Sequence, residues 1–287
     1  MNSITSKIFK LKFLLLLNFL PILCFTSCKE VSEDYTEKGN IELDYFADTQ
    51  IIDLSHDYSR ETIYWVTAKE FQLDTVAYGD TEKGYFYAAN NFSTAEHGGT
   101  HIDAPIHFAK GTQSVDEIPL EKLMGKAIKI DIKKEVEKNR DYQITIEDFK
   151  NWEKESGIEI PEECIVLLET GISKYYPDKL KYLGTDKRGE EAVKDLHFLG
   201  LSPDAAKWLM ENRNINAIGI DTPSIDYGQS QDFKTHVALL SKNVPAFENL
   251  TNLDKLPLND FSVIALPMKI KGGSGGPLRI VAILKNQ

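Results

Sequence analysis

Short apolar runs separated by polar turns dominate this chain, with only a few longer amphipathic stretches between them. Ile51-Ile52-Asp53-Leu54-Ser55, Ile63-Tyr64-Trp65-Val66 and Tyr85-Phe86-Tyr87-Ala88-Ala89 are rich in β-branched and aromatic residues and predict strands. Ala127-Ile128-Lys129-Ile130-Asp131-Ile132 predicts another, and Cys164-Ile165-Val166-Leu167-Leu168 is apolar throughout, as a strand buried on both faces would be. Ala217-Ile218-Gly219-Ile220-Asp221 and, in the tail, Phe261 to Leu266 and Leu278 to Leu284 complete the strand pattern. Two helix starts are marked. Thr145 is a cap with Asp148 close to the capping-box position, and Ser202 caps a helix with Pro203 in its first turn that should run to about Asn212. Val237 to Leu240 reads as an apolar helix turn, and the charged, aromatic insertion from Tyr175 to Gly200 is long enough to predict a lid or a dimer contact.

The N-terminal pattern changes the domain picture. Lys7, Lys10 and Lys12 precede an apolar run from Phe13 to Phe25, which Pro21 interrupts and Thr26-Ser27-Cys28 follows. A charged region, an apolar region and a small-residue cleavage site in that order predict an export signal over residues 1–27, and the run is short of the ~20 residues of a membrane span. Phe25-Thr26-Ser27-Cys28 resembles a lipoprotein cleavage site, with Cys24 the weaker alternative and an uncleaved anchor the competing reading. Cys28 would then carry lipid and hold the protein on the periplasmic or cell-surface side of a bacterial membrane. Residues 28–50 are polar and predict a flexible tether. No repeat or second linker divides residues 51–287, which therefore read as one domain.

The net charge is −11, and loss of the leader's three lysines leaves −14. So acidic a chain excludes nucleic acid as a partner, and an anionic membrane surface apart from the lipid tether itself. With Cys28 lipidated, Cys164 has no disulfide partner and reads as a buried structural thiol.

The candidate chemistry is concentrated in one stretch, Glu96-His97-Gly98-Gly99-Thr100-His101-Ile102-Asp103-Ala104-Pro105-Ile106-His107-Phe108. It holds three of the chain's six histidines. Imidazole and carboxylate suit zinc and its first-row neighbours, and a catalytic site typically offers three protein ligands and keeps one position open. His97, His101 and Asp103 can supply that set. A helix is excluded by Gly98, Gly99 and Pro105. A looped approach into a short strand fits better, with His101 and Asp103 two apart on one face. His107, beyond Pro105 and biased away from helix, is free to stay uncoordinated and move protons.

These residues also carry a resemblance. His97, Gly99, Thr100, His101, Asp103, Pro105 and His107 occupy every fixed position of His-x-Gly-Thr-His-x-Asp-x-Pro-x-His, the signature of the cyclase family. That family contains bacterial kynurenine formamidases, isatin hydrolases and related metal-dependent amidohydrolases. Leu54-Ser55 resembles its opening motif, and Gly219, Asp221, Ser224 and Asp226 match its Gly-x-Asp-x-x-Ser-x-Asp loop, where the carboxylates order neighbouring groups or cap turns. Capping is the preferred reading.

What the resemblance implies is specific. His236 and Glu248, twelve apart, have the spacing of the family's second metal pair. Asp103 would then bridge one ion held by His97 and His101 and another held by His236 and Glu248. Trp65 aligns with a pocket-lining tryptophan of kynurenine formamidases, although Val66 stands where those have proline. The implied fold is α/β, one domain with a mixed, barrel-like β core flanked by helices, and the implied assembly a homodimer. The implied cofactor is zinc or manganese, one or two ions. The reaction would be hydrolysis of a formamide such as N-formylkynurenine or a cyclic amide such as isatin, with His107 as base and then acid. Three other readings compete: a metal- or ligand-binding lipoprotein without turnover, a lactone hydrolase on the same scaffold, and a structural metal site in a carbohydrate-binding module. The last lacks a closed Cys/His ligand set.

The glycine-rich Lys271-Gly272-Gly273-Ser274-Gly275-Gly276-Pro277 is no phosphate loop, since Pro277 leads into a predicted strand. For the same reason Ser274 is not the nucleophile of a strand-turn-helix elbow. The family carries a similar glycine-rich turn near its active site, so the resemblance implies close backbone approach to substrate here.

Overall fold

A computed structural model describes residues 48–285. The leader, Cys28 and most of the tether lie outside the described residues. The strands are β1 Thr49–Asp53, β2 Gln72–Asp80, β3 Phe86–Ser93, β4 His101–Asp103, β5 Met124–Asp131, β6 Gln143–Ile144, β7 Ile165–Glu169, β8 Gly200–Leu201, β9 Ala217–Ile220, β10 Ala246–Glu248, β11 Phe261–Pro267 and β12 Gly275–Lys285. The helices are α1 Leu120–Leu123, α2 Lys133–Lys138, α3 Ile146–Ser156, α4 Lys179–Leu183, α5 Pro203–Arg213 and α6 Lys234–Leu240.

Seven strands close on themselves in the order β12-β11-β5-β7-β9-β10-β4 and back to β12, with β1 paired on the outside of β12. β5, β7, β9 and β10 run parallel in sequence, while β4, β11 and β12 pair antiparallel. This is the mixed, barrel-like core flanked by helices that the sequence predicts. β7 is buried at every position: Val166 and Leu168 pack in the cluster beneath α3 and α5, and Ile165 and Leu167 in the cluster among the strands of the ring. Alternation along a strand puts neighbours on opposite faces, so a strand caught between ring and helices is apolar throughout. α3 begins with Thr145 and Asp148 in a reciprocal capping box, and Ser202 Oγ accepts from Ala205 N at the start of α5.

Two local expectations need correction. Ile63–Val66 forms no named strand and makes only an isolated bridge, Tyr64 to Gly98. Ile63 and Val66 instead pack with Tyr182, Leu183, Leu196 and Phe198 in a third cluster, so side-chain packing and not a ladder explains their composition. The 175–200 insertion supplies much of that cluster and contains α4 and a 3-10 turn, Glu190–Asp195. It is folded against the domain, and Tyr176 stacks on His56 with ring centres 3.7 Å apart. Finally, Pro105–His107 is a 3-10 turn. The restriction a proline imposes falls on the residue before it. Ala104 is extended as that requires, while Pro105 sits at the first helical position, where its missing N–H is harmless.

Candidate metal centre

β4 is where the ring closes, pairing with β10 on one side and β12 on the other. Ile102 joins the apolar cluster among the strands, so His101 and Asp103, its neighbours along the strand, face the other way. In β10, Phe247 points inward with Ile102, and Glu248, directly opposite His101, points outward. His236 reaches the same point from the first turn of α6. Asp103, Glu248, His101 and His236 are all buried, none more than 4% exposed.

The approach to β4 is fixed by contacts that only glycine allows. Gly99 has φ +56°, and a Cβ on Gly98 would lie 2.0 Å from the Tyr64 ring. Tyr58 Oη bridges the Gly98 and Thr100 carbonyls at 2.7 Å each.

Asp103 is the centre of the cluster. Its Oδ1 lies 2.7 Å from His97 Nδ1 and 3.3 Å from His101 Nε2, and its Oδ2 3.0 Å from His236 Nε2. Glu248 closes the other side, with Oε2 3.4 Å from His101 Nε2 and Oε1 3.3 Å from His236 Nε2. His107 stacks on His97 with ring centres 3.8 Å apart. Asp103 belongs to two groups of potential ligand atoms, and the residues grouped with it differ from the pairs expected. His101 sits with Asp103 and Glu248, and His97 with Asp103 and His107, each set with its ligand atoms within 4.8 Å of one another. His107, expected outside the ligand group, lies at its edge.

Electrostatics follow from this geometry. Burial alone would raise the Asp103 carboxyl, but hydrogen bonds from His101, His236 and His97 overcome it and hold the group well below its ordinary range. Burial and the Asp103 charge together push Glu248 up. Burial works against protonated His236, yet Asp103, Asp226 and Glu248 raise it well above the usual imidazole value, and His101 rises for related reasons. For His107 burial wins and lowers it to about 4.

The donor chemistry fits a divalent cation. His101 Nδ1 donates to the Gly99 carbonyl at 2.9 Å, which leaves the Nε2 lone pair of the neutral ring facing two carboxylate oxygens. His236 is held in the same sense, with Nδ1 2.6 Å from Asp226 Oδ2. Outer partners of this kind fix ring orientation at metal sites. The protons that the carboxylates would otherwise keep on these rings are those a metal displaces.

His97, His101, Asp103, His107, His236, Glu248 and Trp65 all line one cavity of about 290 Å³. Its walls include Tyr64, Phe108 and Phe233. Phe233 lies 6.1 Å from Trp65 and 5.2 Å from Phe108, centre to centre, and adopts φ 46° at the start of α6, an uncommon conformation for a bulky residue. Of the matched loop carboxylates, Asp221 caps a turn by accepting from Thr170 N and Gly171 N. Asp226 caps α6 by accepting from Thr235 N and His236 N and does more than cap, since it also holds the His236 ring at Nδ1. The Gly-x-Asp-x-x-Ser-x-Asp spacing was the signal for it.

The chain belongs to the cyclase family: the family model described as Putative cyclase matches residues 52–227. The isatin hydrolase of Roseibium aggregatum is 30% identical over 244 residues, covering 82% of this chain and 87% of that protein. The kynurenine formamidase of Salinibacter ruber is 28% identical over 232 residues, covering 80% and 96%. Among solved structures, an isatin hydrolase bound to the product analogue thioisatinate superposes with a TM-score of 0.76 at 28% identity, covering 84% of this chain and 95% of that one. Isatin hydrolase A from Labrenzia aggregata bound to benzyl benzoate gives 0.75 at 33% identity, covering 83% and 95%.

Proposed function

We propose that this protein is a metal-dependent hydrolase of a C–N amide bond in an aromatic formamide or cyclic amide, of the N-formylkynurenine or isatin kind. The observation that carries the reading is the convergence of four imidazoles and two carboxylates on a cavity also lined by Tyr64, Trp65, Phe108 and Phe233. The names of the relatives support the same class. His97, His101, Asp103, His236 and Glu248 would hold one or two ions, zinc or manganese, with Asp103 common to both. When bound, a divalent ion supplies Lewis acidity toward the substrate carbonyl and makes water acidic enough to attack near neutral pH.

The chain's own residues do the rest. Trp65, Phe108 and Phe233 bind the flat face of the substrate and exclude bulk water. His107 is neutral at pH 7 because burial lowers it to about 4, so it accepts a proton as water adds to the carbonyl carbon. It then returns that proton to the nitrogen as the C–N bond breaks. Glu248, pushed up by burial and Asp103, faces the same space.

The test is turnover of N-formylkynurenine and isatin with added zinc or manganese. His107→Ala should lose roughly 10²–10⁴-fold in kcat, the worth of a general acid–base group, while metal affinity stays within about tenfold. Turnover by His107→Ala equal to wild type would remove that residue from the mechanism. Metal binding without turnover of any amide or lactone would favour a binding lipoprotein.

We infer a homodimer and a lipid-tethered location outside the cytoplasm as its setting. The second rests on the leader and Cys28. Support for the first is the β2–β3 hairpin, which pairs with no other described strand. It exposes Leu73, Val76, Tyr78, Tyr85, Phe86, Tyr87 and Phe92 by between 51% and 79%. At 150–250 Å² for a whole aromatic side chain, the five aromatics among them leave roughly 400–700 Å² per copy. A symmetric pair covering them would bury roughly 900–1,500 Å², which reaches the size of a stable interface.

A further inference from the structure

The glycine-rich segment before β12 approaches His97 and Glu96. A Cβ on Gly275 would lie 2.6 Å from His97 Cε1 and 2.4 Å from the Ile102 carbonyl oxygen, and one on Gly273 would lie 2.9 Å from Glu96 Oε1. Between these glycines, Ser274 is pinned by its backbone: Ala104 N donates to its carbonyl, and Val115 N to that of Gly273, each at 2.9 Å. Its hydroxyl therefore stands at a fixed place against the edge of His97.

The hydrogen bonds there can be ordered. Ser274 N and Oγ both donate to Glu96 Oε2, at 3.1 and 2.5 Å. A carboxylate only accepts, so the hydroxyl hydrogen is committed to Glu96. Ser274 Oγ, 2.9 Å from His97 Nε2, is left to accept, and Nε2 must carry the proton. Nδ1 is then the ring atom turned to Asp103 Oδ1, 2.7 Å away, a separation that requires a proton or a cation between them.

Building on the metal reading above, we propose that Glu96 and Ser274 are positioning residues that hold His97 as its Nε2–H tautomer, so that Nδ1 is the atom it offers to a cation shared with Asp103. The ring is trapped on every side that matters: Ser274 at Nε2, Gly275 at its edge, His107 across its face and Asp103 at Nδ1. His101 and His236 are fixed the other way round, by partners at Nδ1, so His97 is the member of the set that presents its inner nitrogen.

The experiment is long-range ¹H–¹⁵N correlation on the whole chain carrying ¹⁵N-histidine, before and after zinc, with His97 assigned from the spectrum of His97→Gln. Metal-free protein should show Nε2 protonated, and zinc should shift Nδ1. Ser274→Ala should mix the tautomers and weaken zinc binding by about 10- to 100-fold, the usual effect of losing an outer partner. Ser274→Thr, which keeps the hydroxyl, should restore both to within about threefold of wild type, whereas a purely structural serine would alter thermal stability and leave the tautomer alone. An Nδ1–H tautomer in metal-free protein, a zinc shift at Nε2, or unchanged zinc affinity in Ser274→Ala would overturn the proposal. Failure of the wild type to bind zinc would overturn the metal reading and the ligand half of the proposal, and the metal-free spectrum would still decide the tautomer half.

Discussion

Strand β4 and the β2–β3 hairpin lie eight residues apart in the chain and depart from ordinary burial in opposite directions. β4 is three residues long, buried at every position, and two of the three are His and Asp. The hairpin has seventeen strand residues, thirteen of them exposed and none buried, and carries most of the largest exposed aromatic side chains. Buried charge is tolerated only when paired, and β4 meets that condition through His97, His101 and His236 around Asp103. Exposed apolar surface of the hairpin's extent marks an interaction site, and a two-stranded ribbon alone is marginal in water. In the function proposed above, a cation would complete the first element and a second copy of the chain the other.

The comparison can be broken most severely at the closing strand. Gly275→Ala should destabilise the protein by about 1–3 kcal/mol, the usual range for overpacking, because the added carbon meets the Ile102 carbonyl and the His97 ring. Thermal denaturation checks this, and a wild-type melting temperature would show that the seam has slack. On the hairpin side, replacing Tyr78 and Phe86, whose rings meet edge to face at 5.2 Å, by Ser should leave the melting temperature of the monomer nearly unchanged. It should weaken self-association by roughly 100-fold, as expected for interface hot spots, measured by sedimentation velocity. A wild type that sediments as a monomer at tens of micromolar would refute the second copy as occupant.

The smallest effect concerns acid. His56 donates its backbone N–H to Thr100 Oγ1 beside β4, and burial lowers its pKa from 6.5 to about 4. Between those values the unfolded chain binds a proton that the folded chain does not, so this residue's contribution to stability is lost as pH falls from 6.5 towards 4. Stability against pH for His56→Phe, which keeps the stacking on Tyr176, should differ from wild type by a slope confined to that window. A constant offset would place the effect in packing.

How far the sequence went follows from the same contrast. The His97–His107 cluster was legible because its members are close in sequence and few roles require imidazoles and a carboxylate among glycines. The long β-branched strands β5, β7, β11 and β12 were legible from their alternation or continuous apolarity. Ser274 and Glu96 were not, since 178 residues separate partners that meet only when β12 closes the ring. Ile63–Val66 and the hairpin share one composition yet end buried and exposed, because aromatic content reports apolar contact and not whose surface supplies it. The three-residue strand β10, which holds Glu248, carries too little pattern to be read, and β4 was legible as a short strand only through the spacing of His101 and Asp103.

Calorimetric titration of metal-free protein with zinc, in two buffers of different ionisation enthalpy, tests the central claim most directly. Asp103 and Glu248 hold protons on His101 and His236 when no metal competes, so binding should release protons and the apparent enthalpy should depend on the buffer. Asp103→Asn should lose at least about 100-fold in affinity together with hydrolysis. Buffer-independent enthalpy, or equal zinc affinity in Asp103→Asn, would contradict a metal centre organised around Asp103.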